Sequence, residues 1–127
     1  VILWQKSGYK EDMDAVITKI VDAEFDQPIP LLDRWKVTGE QMLVARVVLH
    51  PGCVVAVHWH ESEQMAVILS GKVKWILGEE GREVIVEGGT ILHLPSNYPH
   101  GVVAIEETHI VDILSPVGAM GVDSQTS

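Results

Sequence analysis

From Gln41 onward the chain is divided into short β-rich runs with turn residues between them at nearly even intervals. Residues 42–49 stop at Pro51-Gly52, and residues 54–59 lead into the polar stretch 61–63. Residues 64–69 stop at Ser70-Gly71, and residues 72–77 meet Gly78-Glu79-Glu80-Gly81. Residues 82–86 end at Gly88-Gly89, residues 91–94 end at Pro95, and residues 102–105 and 109–114 complete the set. Runs this short, with no helical period between them, cannot build βαβ units. They predict an all-β antiparallel sandwich or barrel. No block of 20–50 residues repeats, which argues against a solenoid or propeller. A chain of 127 residues is too short for two independent cores, so one domain is expected.

The ends are harder to read. Residues 1–40 mix acidic side chains with short apolar runs and a break at Pro28-Ile29-Pro30, and are expected to pack as a segment on a barrel formed by residues 41–117. Residues 15–20 fit a strand or a short helix equally well. Residues 118–127 are small and polar and are expected to form a flexible tail. In Met65-Ala66-Val67-Ile68-Leu69 both parities are apolar, so the outer face needs cover as well as the inner one. With Trp59 on the same side, that favours a homodimer.

A net charge of -9 argues against nucleic acid, which needs clustered Lys and Arg to neutralise phosphates, and against an anionic membrane surface. No apolar run approaches the roughly 20 residues of a membrane helix. Cys53 is the only cysteine, which precludes an intrachain disulfide and fits a cytoplasmic setting.

His58 and His60 are two apart on an expected strand, so both side chains leave one face. Alone, such a pair says little. Its surroundings say more: Gly52, His58, His60, Gln64 and Gly71 form one spaced pattern, and Gly89, Pro95 and His100 form a second. Three imidazoles and an amide oxygen converging from these segments can hold one divalent metal ion (Ni, Zn, Mn or Fe) with positions left open for a small-molecule substrate. Both patterns resemble the two conserved motifs of the cupin superfamily over residues 42–114. That resemblance implies a double-stranded β-helix, a jelly-roll barrel, with the metal held by His58, His60, Gln64 and His100. Gln64 replaces the usual Glu. Asn97 replaces a usual Gly, and Asn tolerates left-handed backbone better than other non-glycine residues.

Within that superfamily the stretches 58–64, 95–101 and 111–117 resemble the pectin-degradation-protein cupins, which convert an unsaturated uronate to its open-chain ketone. The resemblance implies a catalytic role for Asp112. At Leu114 that group has an aromatic residue, and at Gly118 an Arg suited to a uronate carboxylate. Arg34 and Arg46 are the candidates to replace it. Asp112 shares parity with Ile110 and Leu114, which favours a carboxylate facing inward over an outward one making a strand-end hydrogen bond. His93 and His109 are expected to be hydrogen-bonded structural imidazoles. The functional expectation is a metal-dependent lyase or isomerase acting on a small oxygenated, sugar-acid-like molecule. The alternatives are a metal-dependent dioxygenase and a non-catalytic small-ligand-binding protein.

Overall fold

Alternation between apolar and polar side chains decides which face of each strand turns inward. Along residues Lys72–Leu77, Val73, Trp75 and Leu77 are buried while Lys72, Lys74 and Ile76 are only partly so. In the computed structural model, which describes residues 13–124, such strands form two antiparallel sheets facing each other across one core. The strands are β1 (Glu24–Asp26), β2 (Leu32–Thr38), β3 (Leu43–Leu49), β4 (Val54–His58), β5 (Glu63–Ser70), β6 (Lys72–Leu77), β7 (Arg82–Glu87), β8 (Thr90–Leu94), β9 (His100–Ala104) and β10 (Thr108–Ser115). The larger sheet has the order β1-β2-β3-β10-β5-β8, and the smaller has β4-β9-β6-β7.

The eight runs expected after Gln41 are β3 to β10. From β3 onward the chain changes sheets at every connection except the β6–β7 hairpin, which is the jelly-roll path. This path carries the end of β4 and the starts of β5 and β9 to one mouth of the barrel.

Of the N-terminal segment, residues 1–12 lie outside the described residues, and β1 and β2 are built into the larger sheet. β2 pairs with β3 along its whole length, from Leu32 opposite Leu49 to Thr38 opposite Leu43, and β1 pairs with β2. Neither reading of residues 15–20 describes them: residues 15–19 are irregular, and Ile20–Asp22 form a single 3-10 turn. The expectation of a loose tail does not hold for residues 118–124. Gly121–Ser124 form a 3-10 turn, and Met120 and Val122 are buried in the core, because these two apolar side chains fill the barrel mouth. The outer face of the larger sheet leaves Val44, Met65, Leu69 and Ile91 exposed.

Gly71 and Asn97 are among the positions that take a left-handed conformation. Gly71, at φ 99°, joins β5 to β6, and a Cβ there would lie 2.3 Å from the Glu107 carbonyl oxygen. Asn97, at φ 61°, turns the chain between β8 and β9, and its amide donates to the His60 carbonyl at 2.8 Å. Gly71→Ala is expected to destabilise by at least about 2 kcal/mol, since strain and a backbone clash add. Asn97→Ala should cost about 1 kcal/mol, and Asn97→Gly less than half of that. Urea denaturation of the three variants checks the order, and equal losses at both Asn97 variants would refute the backbone argument.

Candidate metal centre

His58 closes β4 and stands opposite His100, the first residue of β9, across a bulge that follows Val55. His60 lies beyond the end of β4, in a bend, and not on the strand as its spacing suggests. It nevertheless reaches the same place. The three ring centroids lie 4.3 to 5.5 Å apart, and one ring nitrogen from each falls within 4.8 Å of the others.

The orientation of each ring is set locally. His58 Nδ1 bonds the Ala56 carbonyl at 2.8 Å, His60 Nδ1 bonds the Ser62 carbonyl at 2.8 Å, and His100 Nδ1 bonds the Tyr98 carbonyl at 2.7 Å. A carbonyl only accepts, so each Nδ1 carries the hydrogen and each Nε2 is left with its lone pair. The Nε2 atoms of His60 and His100 are buried with no partner among the described residues. Burial lowers the pKa of His58 and takes that of His100 down to about 4, so both stay in the neutral form that a metal requires. Converging buried acceptors without a donor are unfavourable unless a cation sits between them. The donor set therefore fits a divalent ion.

Gln64 begins the inward row of β5 and is buried. Its Nε2 donates to Asp112 Oδ1 at 2.9 Å, which leaves Oε1 available to a cation. Asp112 lies on β10 opposite Ala45 of β3 and Ala66 of β5, both fully buried, and the small side chains make room for its carboxyl. It faces inward, as its parity suggests, and is only 7% exposed. Burial pushes its pKa up to about 7, against the opposing hydrogen bond from Gln64.

His58, Gln64, His100 and Asp112 line one cavity of about 50 Å³. Arg34 lines it too, whereas Arg46 points away, stacking over Trp35 at 5.5 Å and bonding His109 at 3.0 Å. His93 bonds Glu63 at 2.7 Å outside the centre. Met120, Gly121 and Val122 close the cavity at the mouth. Sequence reasoning missed this wall. The one available signal was the pair Met120 and Val122, two apart in an otherwise small and polar stretch.

Residues 45–115 match the family model for the cupin domain. The chain belongs to the cupin family. A curated relative, the oxalate decarboxylase OxdC of Bacillus subtilis (strain 168), is 32% identical over 72 residues. The match takes in 54% of this cupin but 19% of that protein, so the chain spans about a fifth of the relative. Among solved structures, KdgF from Halomonas sp. superposes with a TM-score of 0.74 at 22% identity, over 83% of this chain and 96% of that one. A structure of Bacillus subtilis oxalate decarboxylase, concerned with its Mn(II) centers, gives a TM-score of 0.68 at 20% identity, over 87% of this chain and 33% of that one. At these identities the structures establish a shared fold.

The site's geometry ranks its members. His60→Ala is expected to lower divalent-metal affinity more than Gln64→Ala, because imidazole is the stronger ligand for these ions. Titration of chelator-stripped protein with Zn or Mn checks this, and equal losses would refute the ranking.

Proposed function

We propose that this cupin is a metal-dependent lyase or isomerase acting on a small oxygenated, sugar-acid-like molecule, with one divalent ion held by His58, His60, Gln64 and His100. The observation carrying this reading is Asp112, a carboxyl buried in the same cavity as His58 and His100 and hydrogen-bonded to Gln64. A divalent metal at such a site supplies Lewis-acid polarisation of a carbonyl or hydroxyl oxygen.

The protein's own groups supply the remainder. Gln64 holds Asp112 Oδ1, leaving Oδ2 as the atom that accepts or returns a proton. The Nδ1 bonds to Ala56, Ser62 and Tyr98 keep the imidazoles oriented. The buried walls, Val47, Val102 and Ile110 among them, exclude bulk water. Opening the ring hemiacetal of an unsaturated uronate is balanced by such a group: the hemiacetal hydroxyl gives up its proton as its carbon–ring-oxygen bond breaks, leaving an aldehyde and an enolate, and the enolate takes one proton on carbon to become the ketone, with no change in formula.

The resemblance of residues 58–64, 95–101 and 111–117 to the pectin-degradation-protein cupins supports the uronate-like substrate, and the similarity to an oxalate decarboxylase supports a small carboxylate more broadly. The exposed apolar row containing Met65 and Leu69 supports the homodimer, a second copy providing the cover.

Asp112→Asn preserves shape and can still accept the Gln64 bond, so the fold and metal content should be unchanged. Turnover of unsaturated uronates should fall about 10²–10⁴-fold, the range for losing a positioned acid or base. Assays of both proteins against a uronate panel, with elemental analysis in parallel, provide the check. Full activity in the Asn variant would remove Asp112 from the mechanism.

A further inference from the structure

Arg34 is the only Lys or Arg side chain lining the cavity among the described residues, and it is 1% exposed. Two carboxylates divide its guanidinium unequally. Asp26 takes the Nε and Nη2 edge in a two-bond fork, at 2.9 and 2.7 Å, and stands directly across from Arg34 in the β1–β2 ladder. Asp123 takes the other edge less evenly, at 2.8 Å to Nη2 and 3.3 Å to Nη1. The further contact of Nη1 is the Met120 sulfur at 3.5 Å, a weak acceptor.

The two acids are anchored differently. Asp26 belongs to a sheet, while Asp123 sits on a short turn closed by its own bonds. The Asp123 amide donates to the Met120 carbonyl, and the Met120 amide donates to Asp123 Oδ2, both at 2.9 Å. The same turn presses on His58: a Cβ at Gly121 would lie 2.0 Å from His58 Nε2.

Size is the deciding constraint. A cavity of about 50 Å³ holds roughly three or four waters, far below the about 300–1,000 Å³ of ordinary ligand sites. A sugar acid does not fit while the turn is seated. The strand walls are hydrogen-bonded into sheets, so the C-terminal turn is the wall that can yield.

Resting on the substrate class proposed above, we propose that Arg34 is the carboxylate anchor of this site, and that Asp123 occupies it until the carboxylate of a sugar-acid ligand displaces it and lifts the turn off the mouth. Asp26 stays on the far edge and keeps the guanidinium aimed inward. A ligand carboxylate gains the edge with two parallel donors that Asp123 uses unevenly.

The test uses the full-length, metal-replete protein, with D-glucuronate as an unreactive probe and D-glucose as its neutral counterpart. Calorimetric titration should show Asp123→Asn binding glucuronate about tenfold more tightly than wild type, the effect of removing one charged competitor, with glucose unchanged. Arg34→Lys should weaken glucuronate binding by a similar factor. In wild type, saturating glucuronate should speed hydrogen exchange at the Met120 and Asp123 amides, and glucose should not. If Arg34→Lys does not fold, the Asp123→Asn comparison and the exchange data still decide. Equal glucuronate affinity in wild type and a folded Asp123→Asn, or no binding to either, overturns the anchor. Tightening for glucose as well as glucuronate also overturns it, because the turn would then be a steric plug alone. Absence of uronate turnover leaves these binding outcomes intact, so the lyase or isomerase reading can fail separately.

Discussion

Three short hydrogen bonds from imidazole Nδ1 atoms to backbone carbonyls two residues away determine what the barrel mouth can do. Each is set by the local path of the chain at a strand end, and each leaves its Nε2 as a bare acceptor. The sheets then bring the three acceptors together where little water competes. Small rotations at Ala56, Ser62 or Tyr98 would misdirect a ring while leaving the core unaffected, so the strict backbone geometry at this end of the barrel has a chemical reason beyond packing.

Charge is distributed around the cavity in a comparable way. Arg34 is buried between Asp26 and Asp123, and neither acid alone uses all of its donors. Stripped of both partners, a buried guanidinium would cost about 3–5 kcal/mol. Asp112, across the cavity, has no cationic partner among the described residues, and burial raises its pKa to about 7 against the hydrogen bond from the Gln64 amide. One wall thus carries a satisfied cation and the other a carboxyl whose charge is disfavoured.

The strands β3 to β10 were legible because they are short apolar-rich runs, most of them stopped by Gly, Pro or a polar turn, and the positions of His58, Gln64 and His100 followed from spacing. Parity favoured the inward side for Asp112 over an outward one, and burial of the carboxyl agrees with it. β2 was not, because its inward row includes Arg34 and its outward row includes Asp33, so charge on both faces hides the period. The terminal turn was hidden for a different reason: only Met120 and Val122 are buried, and two apolar residues among Gly, Ala, Asp and Ser look like a solvated end. His60 was assigned the right destination by the wrong element, since the bulge in β4 ends the strand before it.

The route by which the chain crosses between sheets also has a kinetic side. Past β3, only the β6–β7 hairpin pairs neighbours in sequence, while β4 waits for β9 and β3 for β10. Folds dominated by such distant pairings close slowly, on the order of milliseconds to seconds, because loop entropy is lost before contacts form. His58 and His100 meet only at the β4–β9 pairing. The imidazole cluster therefore exists only where two strands distant in sequence have paired, and a change that loosened the β4–β9 pairing would scatter the ligands while leaving the pairings of the larger sheet in place.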